Sequence, residues 1–194
     1  MPLSKFRINV IFAVVMALAL GAAAVSSKKY FSSRIKAPDS SSAQLPKNHP
    51  PIDLSKELAG LEKLSAKDPQ NADYLTQIGN IYYDMSQYAK AVDYYIKSLD
   101  IRPRDPNVET DLAACFHYLG QQDKSLEILD KVLSYNPNFA EAMFNKGIVL
   151  IRGKGDSKGG IAIWENMLRL HPDYPRKTEI QQSIDQLKSL QNKN

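Results

Sequence analysis

The sequence predicts an all-α repeat fold preceded by a single N-terminal hydrophobic helix, and three observations carry that prediction. Prolines recur at Pro69, Pro103, Pro137 and Pro172, spaced 34, 34 and 35 residues apart, each after an amphipathic run. A residue no larger than alanine recurs every 34 positions, at Gly79, Ala113 and Gly147. Residues 8–25, INVIFAVVMALALGAAAV, form an uncharged run. At ~1.5 Å per helical residue that run is just long enough to cross a ~30 Å hydrocarbon layer.

Residues 1–7 are a short basic tail containing Lys5 and Arg7. The run at 8–25 then reads either as an uncleaved transmembrane anchor or as a signal peptide cut near Ala22–Ala24. No cysteine follows it directly, which argues against a lipid-modified terminus. Basic residues flank both sides, so charge alone does not orient the run. A short N-terminal tail of this kind favours a cytoplasmic amine. The expectation is therefore a single-pass bacterial inner-membrane protein with its folded part in the periplasm, or a secreted one if the signal is cleaved. Residues 26–51 form a basic, Pro/Ser-rich linker, in which Lys28, Lys29, Arg34 and Lys36 would face anionic headgroups. Its 37–51 stretch holds four prolines and three consecutive serines, too little apolar surface to offset the entropy of ordering.

Charge supports this division. The net charge is +4, yet residues 1–50 hold seven Lys/Arg against one Asp, leaving 18 basic against 20 acidic residues in the remainder. The basicity belongs to the N-terminal segment, so it argues for lipid and against nucleic acid.

Aligned on the prolines, the rest divides into a half repeat at 52–69, repeats at 72–105, 106–139 and 140–174, and a capping helix at 175–191. The third repeat is one residue longer, with the extra residue expected in its GKGDSKGG turn at 153–160. At matching offsets the repeats carry Leu75, Glu109 and Met143; Ile78, Leu112 and Lys146; Tyr82, Phe116 and Leu150; Ala91, Ser125 and Gly160; Tyr95, Leu129 and Trp164. The small residue in each first helix lets the second helix approach closely, and the large residue three positions on fills the space beside it. Proline stops the second helix. Glu109 and Lys146 break the apolar pattern. The half repeat places Leu54, Leu58, Leu61 and Leu64 on one face, and the cap does the same with Ile180, Ile184 and Leu187. Eight helices and no strands are expected in this part.

This pattern resembles the tetratricopeptide repeat. The resemblance implies a right-handed solenoid of antiparallel helix pairs, A and B, whose helices A line a concave groove that binds another protein or a peptide segment. On that basis the candidate partner-binding residues are Thr76, Asn80, Tyr83, Asp84, Asp111, His117, Tyr118, Phe144, Asn145, Ile148 and Ile151. Chaperone-tail-binding members use a Lys/Asn/Asn/Lys/Arg clamp, and the matching positions here are Thr76, Asn80, Asp111, Glu141 and Asn145. Only Asn80 agrees, so the groove would suit apolar anchors with a basic group. The last unit also resembles the tetratricopeptide part of bacterial c-type cytochrome biogenesis subunits, through Trp164, Leu168, Pro172 and Ile184. That implies a maturation role presenting apocytochrome to the haem ligation machinery. Self-association of solenoid ends is a third possibility.

Nothing in the pattern calls for catalysis, a cofactor or a metal. Cys115 and His117 lie two residues apart, about 200° around a helix, and cannot form a nucleophile–base pair. Cys115 reads as a small core thiol. His49 falls in the linker and His171 beside a helix-ending proline. GKGDSKGG lacks the GK[ST] of a phosphate loop and reads as a turn.

Overall fold

The computed structural model describes residues 53–191. The basic tail, the hydrophobic run at 8–25 and the linker to 51 lie outside the described residues. Among the described residues there are eight α-helices and no strand: α1 Leu54–Lys67, α2 Ala72–Asp84, α3 Tyr88–Ile101, α4 Pro106–Tyr118, α5 Gln122–Tyr135, α6 Ala140–Ile148, α7 Ser157–Leu170 and α8 Lys177–Gln191. The helix α6 continues through a π-helical turn at Val149–Gly153. Each helix packs on its successor, and the short turns between them make neighbours antiparallel. The pairs α2–α3, α4–α5 and α6–α7 are the three repeats.

The four prolines act through the residue before them. Asp68, Arg102, Asn136 and His171 each cap a helix and share one conformation, with φ between −125° and −133° and ψ between 71° and 86°. Proline's ring excludes the α region for its predecessor, so the helix stops at that residue in every repeat. The next helix restarts on a side-chain cap in two of three repeats: Asn71 Oδ1 accepts from the Asp73 N–H at 3.1 Å, and Asp105 Oδ1 from the Asn107 N–H at 3.0 Å.

The core runs through the stack in three overlapping clusters. Ile78, Ile81, Tyr95 and Val108 centre the first, Ala113, Leu129 and Val132 the second, and Met143, Trp164, Met167 and Ile184 the third. Both residues that broke the apolar pattern are paired with α5. Glu109 is 3% exposed and accepts from Lys131 Nζ at 2.8 Å and from the Tyr135 hydroxyl. Lys146 Nζ meets Asp130 Oδ1 at 2.5 Å. Buried ionic groups are tolerated when paired, so these departures leave the packing intact.

The extra residue of the third repeat is not in its turn, a correction to the sequence expectation. All three turns between first and second helix are three residues long: 85–87, 119–121 and 154–156. The insertion lies within helix A. In repeats 1 and 2 the closing bonds run from Met85 N to Ile81 O and from Leu119 N to Cys115 O, whereas in repeat 3 Lys154 N reaches Val149 O, one residue further. A π turn absorbs one added residue while keeping its hydrogen bonds, which a lengthened turn would not do.

Candidate functional site

The helix-A face carries its densest chemistry where repeats 1 and 2 meet. Tyr83, at the end of α2, packs edge-on against Tyr118 of α4 with centroids 5.9 Å apart. Tyr88, the first residue of α3, packs edge-on against Tyr83 at 5.5 Å and stacks on Tyr118 at 4.5 Å. The stacked rings leave no gap for a cation between them, so the cluster is a ridge and not a cage. Tyr118 remains 48% exposed, and Met85 and Leu119 beside the same turns are exposed too. Burial, followed by the neighbouring Tyr118 and Asp111, pushes the Tyr83 hydroxyl pKa far above the ordinary tyrosine range, so it stays protonated.

Carboxylates border this ridge. Partial burial, then Asp111, then Glu57 push Asp84 up to about 6. The three belong to α2, α4 and α1, so their mutual repulsion is a product of the fold and not of local sequence. At the other end of the face, the Arg176 guanidinium sits 4.9 Å over the Phe144 ring and its Nε bonds Glu179 at 2.9 Å. Partial burial lowers the pKa of Arg152, and Arg176 lowers it further.

The candidate residues separate into three groups. Tyr83, Asp84, Asp111 and Tyr118 come together as described. Thr76, Asn80 and His117 are engaged within or beside their own repeat: Thr76 Oγ1 lies 2.7 Å from Ser98 Oγ, Asn80 Oδ1 accepts from the Tyr95 hydroxyl at 2.8 Å, and His117 Nδ1 lies 2.6 Å from Gln122 Oε1. In the third repeat, Phe144 stacks on Trp164 at 5.9 Å, and Asn145 and Ile148 are half-buried on α6. Ile151 is half-buried as well. The π turn directs its Cγ1 against Gly160 of α7, and Arg152 takes the exposed place. Sequence reasoning missed Tyr88, because a template restricted to helix A excludes the first residue of helix B. It missed Glu57 and Arg176 because both lie outside the three repeats.

Cys115 is buried in the core, and burial followed by Asp111 pushes its thiol far above the ordinary range, which leaves it unreactive. His171 Nε2 lies 2.7 Å from the Asn138 carbonyl oxygen, tying together two proline turns.

Residues 72–105 match the family model of the tetratricopeptide repeat. The fold of the stack is tetratricopeptide-like as well. The crystal structure of MamA superposes with a TM-score of 0.60 at 18% identity, covering 72% of this chain and 81% of that one. The first tetratricopeptide domain of Spaghetti (RPAP3), solved with the HSP90 peptide SRMEEVD, superposes with a TM-score of 0.54 at 23% identity over 63% of this chain and 96% of that one. Hsp70-Hsp90 organizing protein 2 of Arabidopsis thaliana is 29% identical over 89 residues, which is 46% of this chain and 16% of the relative. The chain spans only about 15% of the length of curated relatives such as these.

These findings correct the expected location. The similar proteins include Hsp70-Hsp90 organizing proteins of Arabidopsis thaliana and Triticum aestivum and an Aspergillus fumigatus co-chaperone, all eukaryotic. Among the described residues no helix is long and apolar enough to cross a membrane. With these relatives the expectation of a bacterial periplasmic, single-pass protein is not supported, and residues 8–25 themselves lie outside the described residues. The narrower likeness to cytochrome biogenesis subunits gains nothing either. Trp164, Leu168 and Ile184 are core residues of the third cluster, which accounts for them by packing.

Proposed function

We propose that this chain is a tetratricopeptide adaptor, without catalysis of its own, that binds a peptide segment of another protein across the helix-A face of its repeats. The observation that carries the reading is the Tyr83–Tyr88–Tyr118 ridge, whose outermost ring stays 48% exposed beside the exposed Met85 and Leu119. Aromatic side chains bury a large area at small entropic cost and are the usual affinity centres of such surfaces. Asp84, Asp111 and Glu57 beside them favour a cationic residue next to the partner's apolar anchor. Relatives named as Hsp70–Hsp90 organizers support an adaptor role. The positions that would form a cationic clamp for an acidic chaperone tail hold Thr76, Asn80, Asp111, Glu141 and Asn145, so the preferred segment is of another kind.

The test is photocrosslinking from positions 83, 118 and 148 of the full chain in its native cells, with the captured peptide sequenced. One dominant partner segment bearing an apolar anchor and a Lys or Arg is expected. Equal capture from Lys97 and Glu127 would sink the assignment, and crosslinks to a second copy of the chain would favour self-association through the exposed Met85, Tyr118 and Leu119. For the captured segment, affinity should fall about fivefold between pH 7 and pH 5. Asp84, held up to about 6, takes on a proton in that interval and loses its attraction for the cation.

A further inference from the structure

We infer that the same face holds an anion subsite in the third repeat, where Arg152, displaced outward by the π turn, receives an Asp or Glu side chain of the bound segment. This rests on the peptide-binding reading above and adds a second charge of opposite sign to the partner. Four observations carry it.

The first is register. Residues 151–153 span the stretch that two residues, 83–84 or 117–118, span in the other repeats. Ile151 turns onto Gly160, and Arg152 is left exposed at the end of helix A. Departures of this kind from α-helical bonding are frequent at functional sites.

The second is the missing partner. Arg102 pairs with Asp73 and Asp105, Arg176 pairs with Glu179, and Arg169 bonds Asn166. Arg152, like the turn residue Arg104, makes no ion pair among the described residues.

The third is the presence of a like charge. Arg176, just before α8, lies over Phe144 and disfavours the charge on Arg152, whereas Tyr118 of α4 acts on Arg152 in the opposite sense. Glu179 pairs with Arg176 and not with Arg152, so a bound anion would offset the effect of Arg176 on Arg152. Guanidinium is also the side chain best shaped to take a carboxylate through two hydrogen bonds.

The fourth is order along the face. Glu57, Asp84 and Asp111 belong to α1, α2 and α4, in the first half of the stack, whereas Arg152 ends the first helix of the third repeat and Arg176 immediately precedes α8. Packed helices lie ~8–10 Å apart, so one to two helix spacings separate the two charged ends. That distance corresponds to roughly three to six residues of extended chain. The fitting occupant is a single extended segment with Lys or Arg at one end, an aromatic or aliphatic anchor on the ridge, and Asp or Glu at the other end.

The experiment pans a phage-displayed random dodecapeptide library on the full chain and on its Arg152→Gln and Tyr118→Ala variants, both changed at exposed positions. On the parent chain, enriched peptides should pair a basic with an acidic residue about three to six positions apart around an apolar anchor. On Arg152→Gln the acidic residue should drop out of the pattern while the basic residue and the anchor persist. The best parent peptide should bind Arg152→Gln about tenfold more weakly, and its Asp/Glu→Asn/Gln version should bind both proteins equally. Equal enrichment of acids on Arg152→Gln, or enrichment of base and anchor without acid on the parent, overturns the anion subsite and leaves the peptide-binding reading standing. No enrichment on the parent, or undiminished enrichment on Tyr118→Ala, overturns both.

Discussion

In the first and third repeats a glycine of helix A lies under an aromatic ring of helix B, Gly79 under Tyr95 and Gly147 under Trp164, whereas the second repeat pairs Ala113 with Leu129. The aromatic rings are also tethered. The Tyr95 hydroxyl donates to Asn80 Oδ1 at 2.8 Å, and Trp164 Nε1 donates to the Phe144 carbonyl at 3.0 Å. Leu129 has no such tip, and the middle repeat instead bonds Ser125 Oγ to the Ala113 carbonyl at 2.7 Å. The size of the residue on helix A is thus dictated by the residue that faces it on helix B. A leucine can share space with a methyl group. A ring held by its polar edge cannot retreat from one.

The sharpest break in that comparison is a single methyl group. On Gly147 it would collide with the Trp164 indole and disturb its bond to Phe144, and on Gly79 it would lie 2.7 Å from Tyr95 Cε1. Gly147→Ala should destabilise by ~3 kcal/mol and Gly79→Ala by ~2 kcal/mol, as overpacking of a closed core does. The reverse change, Ala113→Gly, should cost only ~1 kcal/mol, chiefly through helix propensity. Urea unfolding of the full chain orders the three. If Ala113→Gly proves the most costly, the lock between glycine and ring is not what sets the helix spacing.

The next prediction concerns the feature that the middle repeat alone contains. Glu109 is 3% exposed, but the side chain of its partner Lys131 is 62% exposed. Removing the lysine leaves a buried carboxylate supported by Tyr135 alone, so Lys131→Ala should cost ~1–2 kcal/mol. Glu109→Leu removes the buried charge and restores the apolar pattern of Leu75 and Met143, so it should change stability by less than ~1 kcal/mol. A double-mutant cycle between the two positions should account for the difference. A large loss in Glu109→Leu would mean that Tyr135 depends on the carboxylate more than the ion pair does.

The same contrast shows what could be read in advance. Helix number, the proline stops and the small-residue column were legible because each recurs at a fixed interval, and repetition separates a structural demand from chance. The pairing of Gly147 with Trp164 was written in the same columns, as a small residue opposite a large one. The π turn was not legible as such. One extra residue between Val149 and Ser157 can be placed in a helix or in a turn, and only the hydrogen bonds distinguish the two. The site was legible where helix A alone builds it, as with Tyr83, Asp84, Asp111 and Tyr118. It was hidden where the turn adds Tyr88 and where flanking helices add Glu57 and Arg176, because no repeat template reaches those residues.

The smallest expected effect separates the first repeat from the other two at the turn between helices A and B. The middle residue of that turn has positive φ in every repeat: Ser86 at 58°, Gly120 at 77° and Gly155 at 71°. Glycine occupies the left-handed region without penalty, whereas a residue with a Cβ is strained there by about 1 kcal/mol. Ser86→Gly should relieve that strain and lose part of the gain to the greater freedom of the unfolded chain, for a net ~0.5 kcal/mol of stabilisation. That corresponds to a rise in Tm of about 1–2 °C for a folded region of this size. Gly120→Ser should move the other way by ~1 kcal/mol, since nothing in the second turn compensates. The Tyr88 hydroxyl lies 3.5 Å from Ser86 Oγ, a distance too long to hold the turn. A destabilised Ser86→Gly protein would therefore show that the first turn depends on the serine hydroxyl, and that this repeat differs from its neighbours in its turn as well as in its ridge.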